Sequence, residues 1–160
     1  MSQENVEVDT GQLLCAIGNA GHHLLGFRGG FDFFVYERAL VIVKVGASET
    51  YNAIAVAEEI RSDHGSAHQA RLEAKAARPI QELLGANPRN RLIPNSMITS
   101  VRLGKGLVAS RLKVKLSDGG TVRCVWVSLS SRFLPNPRVD EVQAALMRAG
   151  VPLEAAGLSE

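Results

Sequence analysis

A chain of 160 residues with 46 % hydrophobic residues, mean hydropathy near zero and a net charge of +2 can bury one proper core and is too short for two comfortable domains. No apolar run approaches the roughly 20 residues that cross a bilayer, and the acidic start Met1–Thr10 resembles neither a secretory signal nor a transit peptide. Charge is segregated: Arg78–Arg132 holds 10 of the 18 Lys and Arg but only 2 of the 16 Asp and Glu, a bias that suits either an anionic partner or pairing with the acidic flanks.

In chain order, Met1–Thr10 reads as a disordered tail ahead of a single domain at 11–150. Gly11–Leu25 is ambiguous: Leu13-Leu14-Cys15-Ala16-Ile17 suits a strand or a helical turn, and Gly18-Asn19-Ala20-Gly21 interrupts it. Phe31–Tyr36 and Leu40–Val45 are strand-like runs separated by Glu37-Arg38-Ala39, which predicts a hairpin ended by Gly46. Residues 47–85 differ in kind, rich in Ala, Glu, Arg and Gln, and read as a helical insertion. Ser48 can cap a first helix carrying Ile54, Ala57 and Ile60, with Gly65 as its break. Ser66 and Gln69 then make a capping box for a second helix. Leu72 is its only large apolar residue before Pro79, so it is expected to project or to face a partner, a second copy of the chain included. After Pro79, Leu83 and Leu84 return to the core before Gly85.

The C-terminal half is more legible. Ile98–Leu103 forms one strand, ended by Gly104-Lys105-Gly106. Arg111-Leu112-Lys113-Val114-Lys115-Leu116 alternates strictly, as a half-buried antiparallel strand must. Asp118-Gly119 supplies the tight turn, and Thr121–Val127 the return strand. Pro135-Asn136-Pro137 breaks the sheet pattern. A helix from about Val139 places Val142, Ala145 and Leu146 on one stripe and stops at Gly150, leaving 151–160 as a C-terminal tail.

This order carries a family resemblance. Phe34-Val35-Tyr36-Glu37-Arg38-Ala39-Leu40-Val41-Ile42-Val43 looks like the "phenylalanine, valine, any, threonine or asparagine, aspartate or glutamate, arginine, any, leucine" hairpin of bacterial pleckstrin-homology-like (GRAM-like) domains. Ile93-Pro94-Asn95-Ser96-Met97-Ile98-Thr99-Ser100-Val101 resembles the same family's entry to the next sheet, and Leu112–Leu116, Asp118-Gly119 and the terminal helix follow in register. The resemblance implies an α+β, mainly antiparallel fold: a two-sheet, partly open barrel with a C-terminal capping helix, here departing from the family by its helical insertion. It also implies a binding platform for lipid headgroups, peptides or proteins. Members that hold phosphoinositides gather Lys and Arg around the first hairpin; that region here offers Arg28 and little else, so specific phosphoinositide recognition is not implied.

Catalytic and metal chemistry find little support. His64 and His68 have the i, i+4 spacing of a metal pair, with Asp63 adjacent, but Gly65 lies between them and no third ligand is evident. His22-His23 are adjacent and point different ways. Gly18–Gly21 and Gly29-Gly30 lack the lysine and spacing of a phosphate-binding loop, and no serine has the setting of a nucleophile elbow. Cys15 and Cys124 read as buried free thiols, which suits a cytoplasmic location. No enzyme, cofactor or metal is expected; the alternative is a small hydrolase-like enzyme with an unrecognised site. What remains is a basic stripe: Arg111, Lys113 and Lys115 on one strand, Arg102 and Arg123 on its neighbours, with Arg28 added by the resemblance. The expectation is a non-catalytic binding or adaptor module that engages a protein partner or an anionic membrane surface. Nucleic acid is not expected, because no aromatic residues are interleaved to stack bases.

Overall fold

The computed structural model describes residues 8–21, 30–46, 64–107, 109–127 and 136–154, with the backbone alone for 64–68. The helix expected after Ser48, Arg28, His22-His23 and the side chains of His64, Ser66 and His68 lie outside the described residues. So do 1–7 of the first tail and 155–160 of the second.

Two antiparallel sheets form the body. The first has strands β1 (Leu13–Ala20), β2 (Phe31–Tyr36), β3 (Ala39–Lys44) and β4 (Arg91–Pro94) in spatial order 1-2-3-4. The second has β5 (Ile98–Lys105), β6 (Ala109–Leu116) and β7 (Thr121–Val127) in order 5-6-7. Between them Asn95–Met97 makes a single 3-10 turn, the corner where the chain passes from one sheet to the other. Asn95 secures that corner: its backbone N–H donates to the Arg38 carbonyl at 3.0 Å, and its amide donates to the carbonyls of Glu37 and Ala149.

Burial explains why the two halves read so differently. Every residue of β2, and of β3 up to Val43, is buried. Phe31, Phe33, Val35, Leu40 and Ile42 face the main core, whereas Phe34, Tyr36, Val41 and Val43 face a second cluster on the opposite side. A sheet covered on both faces is written as continuous apolar runs. Strand β6 alternates because one face alone is covered: Leu112, Val114 and Leu116 are buried, while Arg111 and Lys115 are exposed. The main core lies between the sheets, where Val101, Leu112, Val114, Val122, Cys124 and Trp126 meet Ile17, Phe33, Leu40 and Ile93. Trp126 satisfies its indole N–H on the Pro137 carbonyl at 2.9 Å.

Helix α3 (Val139–Arg148) closes one end of that core with Val142, Ala145 and Leu146. Its boundaries match the expected ones. Glu141 accepts the Arg138 backbone N–H at 2.7 Å at the start, and Gly150 takes φ +70° at the stop, where a side chain would be strained. Gly119, at φ +87° in the β6–β7 turn, fills the same requirement.

The sheets do not close into a barrel. They join on the β1 side at one point, where Gly21 and Val125 exchange backbone hydrogen bonds of 2.9 and 2.8 Å. The ambiguous N-terminal segment is strand β1. Asn19 adopts φ +53° within a bulge between Ile17 and Ala20, which breaks the two-residue period that would have marked a strand. The amide side chain of Asn136 finishes the strand's open edge by accepting the Gly18 N–H at 2.9 Å and donating to the Gly18 carbonyl at 3.0 Å.

The insertion departs from expectation. Helix α1 (His64–Ala76) already includes Gly65 and Ser66, so Ser66 is not its N-cap. Nor does the helix project. Leu72 is 2 % exposed, seated with α2 (Ile80–Ala86) and its Leu83 over Phe34, Tyr36, Val41 and Val43. Gly85 falls inside α2 and does not end it. A second attachment is ionic. Asp32, fully buried on β2, accepts both terminal nitrogens of Arg71 at 2.8 and 3.0 Å and the Lys75 ammonium at 2.7 Å. Leu72, Ala76 and the shared Asp32 carboxylate attach a helix that its apolar content alone would leave loose.

The ordered fold also reaches past 11–150 at both ends. Thr10 is buried, its carbonyl accepts the Arg38 N–H, and Asp9 pairs with the Arg38 side chain. Beyond α3, Val151 is buried and residues 152–154 run parallel to β5, through Val101 N–H to the Pro152 carbonyl (2.7 Å) and Glu154 N–H to the Val101 carbonyl (2.8 Å).

Candidate functional site

The outer face of the three-stranded sheet gathers the predicted cations. Residues directly opposite across an antiparallel pair share a face. Arg102 stands opposite Lys113, and Lys113 opposite Arg123, so these three form one cross-strand row over the middle of the sheet. Arg111 lies on the same face in the row of Gly104 and Val125, and Lys115 in the row of Ser100 and Thr121. Arg102, Arg111, Lys115 and Arg123 are exposed, and Lys113 is half-buried between its neighbours. Five of the six expected residues therefore converge. Arg28 lies outside the described residues.

The face is not uniformly available. Glu154, carried beside β5 by the segment after α3, accepts the Ser100 hydroxyl at 2.9 Å and approaches Arg102 Nε at 3.2 Å and Lys115 Nζ at 3.5 Å. The Ser100 hydrogen bond, together with the charges of Lys115 and Arg102, holds its carboxyl below the usual range. Exposed pairs of this kind are screened by water and contribute little. Among the described residues no acidic group pairs with Arg111, Lys113 or Arg123. The free positive charge is thus concentrated at the end of the stripe near the β5–β6 turn.

The sequence reading missed Ser100 and Glu154 as members of this face, because 151–160 carries no strand periodicity. It also missed the Asp32–Arg71–Lys75 cluster, whose signals were a lone acid within Phe31-Asp32-Phe33-Phe34 and two cations four apart on one helix. Burial pushes the Asp32 carboxyl up, but the Arg71 and Lys75 hydrogen bonds and charges outweigh it, and its pKa lies below the usual value. This cluster is enclosed and ties helix to sheet. Burial, with help from Glu141, pushes the Cys15 thiol up to about 12, and burial raises Cys124 likewise, so neither forms a nucleophilic thiolate at neutral pH. Among the described residues no three His, Cys, Asp or Glu side chains converge to hold a metal ion, and no helix is long and apolar enough to cross a membrane.

No protein-family model, no curated protein and no solved structure matches this chain.

Proposed function

We propose that the chain is a non-catalytic binding module of pleckstrin-homology-like type, cytoplasmic in setting, that uses the outer face of its second sheet to engage an anionic partner. The observation that carries this reading is the Arg102–Lys113–Arg123 row. Like charges directly opposite one another destabilise a sheet, and lysines that guard against edge-to-edge pairing belong on edge strands. Here three of the five cations, Arg111, Lys113 and Lys115, sit on β6, the central strand, which has no free edge to protect. Glu154 supplies a counter-charge to Arg102 at one end of the row; a partner would supply it to Lys113 and Arg123. The shared motif order supports the family reading, with three strands, the helical insertion, a fourth strand, a corner, three strands and a capping helix in sequence.

The test is co-sedimentation of the full chain with phosphatidylcholine vesicles containing phosphatidylserine, across a salt series. Each Lys or Arg near such a surface contributes about 1 kcal/mol, so combined Arg111→Ala, Lys113→Ala and Arg123→Ala should weaken association roughly a hundredfold. All three lie on the solvent face, so the melting temperature should hold or rise. Binding indifferent to both salt and the triple substitution would refute the proposal.

A further inference from the structure

The hairpin joining β5 and β6 ends in Gly106-Leu107, and Leu107 is 95 % exposed, the most exposed large apolar side chain among the described residues. A lone surface leucine is ordinary. The setting of this one is less so. Gly106 N–H donates to the Ala109 carbonyl at 3.0 Å, and a Cβ on Gly106 would lie 2.4 Å from that oxygen, so glycine keeps the tip narrow. Cations bracket the tip on both faces of the hairpin. Arg111 lies on the outer face, and Lys105 lies on the other, opposite buried Ser110. Lys113 and Arg123 follow about 7 Å further along the strands, two residues at roughly 3.3 Å each. Lys115 is about twice as far from Arg111, and Glu154 stands between it and Arg102, the β5 member of the Lys113 row.

The charge is therefore graded along the hairpin. Lys105 and Arg111 stand one and two residue rows back from the Gly106–Ala109 end of the hairpin, roughly 3 and 7 Å, and Glu154 enters only further along, at the Arg102 and Lys115 rows. A bilayer meets a protein in that order, apolar depth first and headgroup phosphates above. An acidic protein would call for the cations but not for an exposed leucine ahead of them. Resting on the anionic-partner reading above, we infer that this hairpin is a membrane anchor. Leu107 enters the interface of an anionic bilayer while Lys105 and Arg111 meet the headgroup phosphates, Lys113 and Arg123 add longer-range attraction, and Glu154 is held away from the surface.

The experiment uses the full chain with vesicles of phosphatidylcholine alone, or of phosphatidylcholine with phosphatidylserine. Leu107→Trp places a reporter at the tip, since the only native tryptophan, Trp126, is 2 % exposed and already shielded. Its emission should shift to shorter wavelength, and brominated acyl chains should quench it, on the phosphatidylserine vesicles only. Leu107→Ser should lower partitioning about tenfold, as expected for withdrawing one leucine side chain from an apolar phase, with an unchanged melting temperature. A bound Leu107→Trp protein whose emission neither shifts nor quenches would overturn the anchor, as would a Leu107→Ser protein that binds like wild type. If the triple substitution abolishes binding while Leu107→Ser does not, the cationic face stands and the anchor falls. If the triple substitution has no effect, the anionic-partner reading falls first. Equal affinity for soluble polyglutamate, insensitive to Leu107→Ser, would assign the face to an acidic protein and overturn the anchor. No association with phosphatidylserine vesicles at low salt overturns the anchor; if polyglutamate is not bound either, the anionic-partner reading falls with it.

Discussion

Replacing Asp32 by alanine should be among the most damaging single changes to this protein. The carboxylate is fully buried and holds Arg71 through two hydrogen bonds and Lys75 through one, and it also accepts the Asn19 backbone N–H at 3.0 Å. Removing one partner of a buried ion pair costs about 3–5 kcal/mol, because the remaining charge keeps its desolvation penalty and loses its compensation. Both cations lose this acceptor, Lys75 at 6 % exposure and Arg71 at 21 %, and each keeps a further interaction. The low end of the range follows, about 3 kcal/mol, with up to ~1 kcal/mol more for the Asn19 N–H. Against a typical domain stability of about 5–15 kcal/mol, that is a large fraction. Urea denaturation followed by circular dichroism reads it directly, and amide exchange should show α1 loosening ahead of β6. Converting the whole cluster to apolar residues (Asp32→Leu, Arg71→Met, Lys75→Met) should recover most of the loss, since well-packed apolar replacements of buried ion clusters are often neutral or better. A cost for Asp32→Ala below about 0.5 kcal/mol, the range of ordinary surface changes, would show that the cluster is solvated and does not hold the helix.

Faces of β6 can be tested by contrast. Val114→Asp places an unpaired charge in the main core and should cost several kcal/mol, while Lys113→Asp relieves a like-charge row and should leave the melting temperature level or higher; equal shifts would mean the faces are assigned wrongly. Gly150→Ala should cost about 1–2 kcal/mol by thermal unfolding, entirely from its φ of +70°, because nothing lies within 4 Å of an added Cβ. The Asp32 contribution should also depend on pH. Its folded pKa is lowered, so its stabilisation is fully present above the unfolded value of about 3.9 and is lost as pH falls through the lower folded value. The difference in urea midpoint between wild type and Asp32→Asn should therefore be constant from neutral pH down to about 4–5 and shrink below that; a difference that shrinks already near neutral pH would contradict the ion cluster.

Where the chain follows a single period, its structure was readable from residues alone. Arg111–Leu116 alternates because one face meets the core, and Val139–Gly150 has a helical stripe, a capping glutamate and a glycine stop, so both were placed closely. The misses share a cause: a local pattern overwritten by a distant partner. Strand β1 lost its alternation to the Asn19 bulge. Helix α1 looked too polar to pack because two of its anchoring residues are charged, and their counter-ion lies about 40 residues earlier on β2. Glu154 was invisible because a three-residue parallel pairing leaves no periodic trace. The cationic row was legible because it depends on hairpin register, signalled by the Asp118-Gly119 turn for β6 and β7 and by Gly104-Lys105-Gly106 for β5 and β6.

The seam at Gly21 and Val125 bears on how the chain is made. Strand β1 is the outermost strand of its sheet, and the groups that finish its open edge, the Val125 backbone and the Asn136 amide, are encoded about a hundred residues later. At about 5–20 residues per second, a nascent chain carries β1 with that edge unfinished for some seconds, a template for pairing with a neighbouring chain. The Asn19 bulge then does more than end a strand: by twisting the edge out of register before its proper partner exists, it makes the waiting strand a poor match for any other.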